Sequence, residues 1–277
     1  MSLRLSTRDY AILSLMTRYP FLTVRNIRDL FWKNPETKNH FTRLKRLEIF
    51  KLIEKVPVKD HQDKAFRIAP LGHSLLRKND LVSKDSRFRR KPYTSSFSHD
   101  KVLNLVLQSL EKQMFVHSLE TEKELRSRYR DIVKPFTPGQ STFHLPDGRV
   151  VLERNGTPFR SMAIELELTI KSRARYRKLF SDLHRVSDWD VTLYVLKDAA
   201  SLKRFSQLLE SLYQKDVYTS AFLERAPVFC ITLAEILGQS SAWTLSARDE
   251  IYPFSQLLCA DSNLKPYPKP SLNYGFG

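Results

Sequence analysis

Two glutamates separated by a single residue raise the first chemical question. In Ala163-Ile164-Glu165-Leu166-Glu167-Leu168-Thr169 apolar and acidic residues alternate, and alternate side chains of a β-strand share a face. Glu165 and Glu167 therefore point one way, and Ile164, Leu166 and Leu168 the other. Two adjacent ionised carboxylates on a sheet packed by helices are expensive unless a divalent cation, Lys or Arg partners, or solvent compensates them. Asp147, near the start of the preceding strand, can approach the same place. Asp147 and Glu165 together offer hard oxygen ligands suited to Mg2+ or Mn2+. An ion so held activates water and steadies the charge developing on a phosphodiester. The competing expectation is that Glu165 and Glu167 simply pair with Lys171, Arg173 and Arg175.

The elements that must position these groups follow from pattern. Asn155-Gly156 is a hairpin signal, joining a strand at Val150-Val151-Leu152 to one over Phe159–Leu168. Residues 172–184 are helical in pattern, followed by a strand at 191–196, a helix near 200–213 and a strand at 228–233. Upstream, a helix begins near His99 and presents Val102, Leu103, Val106, Leu107 and Leu110, and a short helical stretch holds Glu122, Glu124 and Leu125. Strands alternating with helices predict an α/β layer.

The N-terminal part has a different character. Residues 1–98 hold 22 Lys and Arg against 9 Asp and Glu, whereas the remainder holds 24 against 21. A basic first part beside a near-neutral second part implies that the first meets a polyanion. Ser6 or Thr7 can cap a helix from Arg8, with Asp9 in its first turn and Tyr10, Leu13, Leu15 and Met16 at helical spacing. Thr23 caps a second helix carrying Val24, Ile27 and Leu30. A third runs from about Glu36 to Phe50, with Phe41, Leu44, Leu47 and Ile49 expected inward and Lys38, His40, Arg43 and Arg46 largely elsewhere on the wheel. Two strands, 52–56 and 65–68, enclose a polar turn ending at Lys64. An apolar seam with a basic outer face suits major-groove docking. Lys38, Lys45, Arg46 and Lys64 are expected at phosphates, and Asn39, Thr42 or Arg43 at base edges. The connector after Arg77 adds Arg89 and Arg90, suited to a backbone strap.

The stretch "HFTRLKRLEIFKLIEKV" with the later "IAPLGHSLL" resembles winged-helix DNA-binding domains over about 70 residues. Further on, "LPDG", a hairpin and then "AIELELTIKS" resemble the PD-(D/E)XK nuclease core, and the combination is similar to the bacterial replication-relaxation family. The resemblance implies Asp147 as the hairpin carboxylate and Glu165 as the second metal ligand, acting on double-stranded DNA. It also requires a lysine at 167, where this chain has Glu167. Lys171, at the start of the next helix, can supply the missing positive charge. Glu122 or Glu124 can add a further carboxylate. Without that lysine the alternative is a nuclease-like scaffold that regulates transcription or replication and serves as a homodimer or partner surface.

The expected organisation is thus α/β overall: a winged helix over 1–78, a basic linker over 79–98, a nuclease-like domain with a mixed sheet over 99–262, and a Pro-rich tail over 263–277. Other classes have no support. Cys230 and Cys259 are too few and too distant for a disulfide framework. No HExxH pair occurs, and neither GxxxxGK[ST] nor GxGxxG is present, which argues against a zinc hydrolase and a nucleotide-driven motor. His144, three residues before Asp147, can touch that site or, as the simpler expectation, stand at a sheet edge. Tyr176 and Arg173 are expected either to approach DNA or to pack. No apolar stretch reaches bilayer length, so no membrane partner and a cytoplasmic location are expected.

Overall fold

The computed structural model describes residues 3–32, 39–57, 64–82, 97–113, 115–129, 144–186, 188–238, 244–247 and 250–253. The chain is mixed α/β and forms two compact units, divided between Leu105 and Val106. Among the described residues no helix is long and apolar enough to cross a membrane.

In the first unit α1 (Thr7–Arg18) starts at Ser6, whose hydroxyl and backbone N–H exchange hydrogen bonds with Asp9 in a capping box. Strand β1 (Leu22–Thr23) leads into α2 (Val24–Phe31), capped reciprocally by Thr23 and Asn26. Then come α3 (Asn39–Ile49), β2 (Ile53–Lys55), β3 (Ala65–Ile68) and α4 (Pro70–Lys78). The three strands form an antiparallel sheet in the order β1-β3-β2. Its core is Ile12, Leu13, Met16, Phe21, Leu22, Ile27, Leu44 and Leu47, all essentially inaccessible. Gly72 explains how tightly α4 closes it: a Cβ there would fall 2.2 Å from the Leu52 carbonyl oxygen, so only glycine fits.

Helix α5 (Phe97–Glu111) contains the division between the units, rather than beginning the second one as the expected boundary near residue 99 implies. The second unit continues with β4 (Val116–Thr121), α6 (Glu122–Arg128), β5 (Gly148–Arg154) and β6 (Thr157–Glu167). After these come α7 (Arg173–Arg185), β7 (Val191–Leu196), α8 (Ala199–Lys215), α9 (Val217–Arg225), β8 (Val228–Thr232), α10 (Leu233–Leu237), β9 (Thr244–Ala247) and β10 (Glu250–Pro253). The sheet runs β10-β9-β8-β7-β6-β5-β4. Strands β4, β5 and β6 form an antiparallel meander, and β6, β7 and β8 are parallel.

The β5–β6 turn is the expected Asn155-Gly156, with φ of 51° and 78°, the positive pair that a two-residue hairpin needs. That turn fixes the register on which the site depends. One sheet face packs Ala163, Tyr194 and Leu196 against Tyr176, Phe180 and Leu183 of α7, Phe205, Leu209 and Leu212 of α8, and Phe222 of α9. Tyr176 thus packs as a core residue. Arg173 meets the Ser211 hydroxyl.

Candidate active site and nucleic-acid face

The buried stripe of α3 is His40, Leu44 and Leu47, a spacing of four and three that defines one helix side. Phe41 and Ile49, expected inward, are instead 50% and 64% exposed, and His40, expected outward, is buried. The reason is geometric: with Leu44 and Leu47 fixed inward, the helical repeat carries 40 inward and turns 41 and 49 away. The His40 ring lies 4.1 Å from that of Phe41 and 5.9 Å from that of Trp32.

The outward side holds Asn39, Thr42, Lys45 and Arg46, all exposed. Lys45 and Arg46 form no ion pair with a described residue. Arg43 differs. Its Nε donates to Asp9 Oδ1 at 2.7 Å, a second donor reaches Asp9 Oδ2, and the same Nη2 meets the Arg4 carbonyl at 2.9 Å. Asp9 is fully buried. Burial alone would raise its pKa, but the hydrogen bonds from Arg43 and Ser6 and the Arg43 charge outweigh that and hold it below the ordinary value. Arg43, expected at base edges, is therefore committed to pinning α3 onto α1. Lys64 is exposed, and its carbonyl accepts the Val24 N–H at 2.9 Å. Lys38, Arg89 and Arg90 lie outside the described residues.

In the second unit Gly148 pairs with Ile164, which sets Asp147 across from Glu165. The Asp147 Oδ2 accepts the Leu166 N–H at 2.8 Å. Both Glu165 and Glu167 are 3% exposed and lie on the face covered by α7, α8 and α9, as their alternation predicts. Each has protein partners. Glu165 Oε1 lies 2.8 Å from His144 Nε2. Glu167 Oε2 accepts from the Tyr176 hydroxyl at 2.7 Å and from the Lys171 ammonium. The Lys171 ammonium also sits 5.9 Å from the centroid of the Tyr176 ring, a distance at which cation–π attraction contributes.

These contacts shift the neighbouring groups. Burial of the His144 imidazole would lower its pKa, but the charge and hydrogen bond of Glu165, with the Asp147 charge behind them, raise it overall. Burial and then the bond to Glu167 push Tyr176 far up. Tyr194, the cross-strand partner of Glu165, is pushed up by burial first and by the Glu165 charge second. Its hydroxyl has no hydrogen-bond partner among the described residues. His144 is anchored from behind, its N–H donating to the buried Asp182 at 3.2 Å while Lys178 holds the same oxygen at 2.8 Å.

Asp147, Glu165, Glu167 and Lys171 are thus brought together, with Glu165 at the floor and His144, Asp147 and Lys171 partly exposed around it. Glu122 takes a different place from the one expected. Its backbone N–H donates to the Asp147 carbonyl at 3.0 Å, but its carboxylate accepts from Arg126 Nε at 2.7 Å. Glu124 is used in capping Thr121. Among the described residues no three His, Cys, Asp or Glu side chains converge to hold an ion. Asp147 and Glu165, each with protein partners of its own, are a donor set that fits Mg2+, which commonly takes one or two carboxylates and completes its shell with water and phosphate oxygens. The unpartnered Tyr194 hydroxyl beside Glu165 is a buried polar atom that such a shell can satisfy.

Three residues of this cluster escape a reading by periodicity. His144 gave the one usable signal, its three-residue separation from Asp147. Tyr176, expected either to approach DNA or to pack, and Tyr194 are both core aromatics, and their hydroxyls gain meaning only from register. No known family matches the chain, and no curated protein or solved structure is significantly similar to it.

Proposed function

We propose that the chain binds double-stranded DNA through α3 and the strand pair after it, and that its α/β unit is a nuclease-like domain acting on DNA with Mg2+ or Mn2+. The single observation that carries the DNA reading is the outward side of α3. Lys45 and Arg46 stand exposed there without an acidic partner among the described residues, beside Thr42 and Asn39. Exposed cations on one helix face suit phosphates, and the short polar side chains suit base edges. The resemblance to the replication-relaxation family points to mobile-element or replicating DNA as the target, a cytoplasmic role.

The nuclease part is supported by Asp147 standing across from Glu165 with the Lys171 ammonium on the same strand face. When bound between Asp147 and Glu165, the ion would supply an activated water and a positive charge for the phosphodiester. Lys171, at the rim of the cluster, would hold a phosphate oxygen as negative charge builds there. Tyr176 keeps Glu167 hydrogen-bonded while Lys171 moves between the two. His144 covers Glu165 and must yield it to the ion.

A second reading is favoured by a specific observation. Glu167 occupies the lysine position, and both glutamates already have protein partners. On that reading the α/β unit is a non-catalytic scaffold of a transcription or replication regulator, used for homodimerisation or partner binding.

A plasmid-nicking assay with Mg2+ or Mn2+ separates the two. The nuclease reading expects cleavage that falls at least 100-fold in both Asp147→Ala and Glu165→Ala, with the gel shift of a duplex retained. Intact plasmid beside an unchanged gel shift leaves the regulator. Absence of any gel shift at low salt overturns the DNA reading itself.

A further inference from the structure

Helix α4 carries apolar residues on two sides. Gly72, His73 and Leu76 are buried and face the core of the first unit. Leu71, Ser74, Leu75 and Lys78 follow one another at the three- and four-residue steps of a single helix face, and they line a cleft of about 330 Å³. The facing walls are Leu3 and Leu5 of the N-terminal segment and Phe50 and Leu52 between α3 and β2. Leu71 is 54% exposed, and Leu3, Leu5, Phe50 and Leu75 are half-buried.

The walls are held by the fold itself. Arg43 fastens the N-terminal segment, its Nη2 donating to the Arg4 carbonyl at 2.9 Å. Leu52, at the floor, accepts the Ala69 N–H at 3.0 Å, and Gly72 lies against the same carbonyl. A cleft so built costs little to order around a ligand. One end of it is cationic. Lys78 is exposed and forms no ion pair with a described residue, and no acidic residue lines the cleft. The last carbonyls of α4 already have donors. The Asn79 side-chain amide meets the Leu75 carbonyl at 2.8 Å, and the Leu81 N–H meets that of Leu76 at 3.0 Å.

We propose that this cleft is a binding site for a small amphipathic anion, an unbranched aliphatic carboxylate. Its chain lies among the leucines and Phe50, and its carboxylate meets the Lys78 ammonium and, one helical turn earlier, the Ser74 hydroxyl. An apolar lining with a few placed polar groups is the usual make-up of a small-molecule site, and the volume lies at the small end of that range. Burial of the chain supplies affinity, and the charge at one end selects the head group. A carboxylate gains a charge-assisted bond there, whereas an ammonium on the same chain meets like charge. The site requires neither DNA nor a metal ion, so it stands or falls apart from the function proposed above.

The test is calorimetric titration of the full chain with decanoate below its micellar concentration, beside decyltrimethylammonium and acetate. The expected result is saturable binding of one decanoate per chain, with the cation at least tenfold weaker and acetate inert. Ser74→Trp, which fills the cleft from an exposed position, should abolish binding. Lys78→Gln should weaken it about fivefold, the scale of an exposed ion pair, and Lys78→Glu should reverse the preference in favour of the cation. Unchanged thermal melting shows that the variants fold. No binding of decanoate, equal binding of anion and cation, or binding that survives Ser74→Trp overturns the proposal. So does a wild-type dimer that Ser74→Trp converts to monomer, because a second copy would then fill the cleft.

Discussion

Both units bury carboxylates, and they neutralise them to different ends. In the first unit, Asp9 takes one cation from α3 and leaves the rest: Arg43 is held inward, while Lys45 and Arg46 remain outside without an ion-pair partner among the described residues. In the α/β unit the balance runs the other way. Glu165 and Glu167 draw His144 and Lys171 onto themselves, so the basic side chains at the rim already face the acids at the floor. A cation that serves the fold sits beside a buried acid, and one that serves a ligand stands apart from it. By that criterion α3 suits the proposed polyanion as it stands, whereas the carboxylate cluster would have to exchange partners before it could hold the proposed ion.

Removing the acid that organises the first unit has the largest expected effect. Asp9→Ala strips α1 of its capping box and leaves Arg43 without its carboxylate, at a cost of about 3 kcal/mol of unfolding free energy. Urea denaturation checks this, and a loss below about 1 kcal/mol would show that the pair organises nothing. The sign of the pH dependence follows from the depressed pKa of Asp9. The carboxylate contribution is complete above its ordinary value of 3.8 and is lost as the pH falls through the lower folded value. Wild type and Asp9→Asn should therefore converge in stability only on the acid side of 3.8.

The opposite perturbation leaves the fold alone. Lys45→Ala with Arg46→Ala is expected to weaken duplex binding by about 30-fold and to lower the slope of log affinity against log salt by about 2, one phosphate contact each. Thermal melting should stay within a degree or two, as usual for exposed sites. Fluorescence anisotropy across a salt series makes the measurement. An unchanged slope would remove α3 from the interface, and a large loss of melting temperature would mean that these cations serve the fold after all.

How much of this could be seen in the sequence depends on what fixes each residue. The Asn155-Gly156 turn sets register, and alternation sets face, so the meeting of Asp147, Glu165 and Glu167 was legible. The Ser6 and Thr23 caps were legible for the same local reason. The inward stripe of α3 was half legible. Leu44 and Leu47 announce it, but hydrophobicity favours Phe41 and Ile49 where helical geometry selects His40. Arg43 was misplaced because its partner is 34 residues away, and no local pattern links α1 to α3. His144 reaches Glu165 from outside any periodic element, and β4, β9, β10 and α9 are short or weakly patterned.

The smallest expected effect is the sharpest test of which acids belong to the cluster. By composition Glu122 is as good a ligand as Asp147, and its backbone touches that residue. Yet its carboxylate faces Arg126, four residues along the same helix and about one-third exposed. Exposed pairs at that spacing contribute about 0.3–0.5 kcal/mol. Glu122→Ala should therefore lower stability by no more than about 0.5 kcal/mol and leave any metal-dependent nicking within twofold of wild type, against the collapse expected for Asp147→Ala. If Glu122→Ala instead abolished nicking with the fold intact, its carboxylate would have to leave Arg126 when the ion binds. The cluster would then have three acids, and the partner exchange inferred for Glu165 and Lys171 would extend to α6.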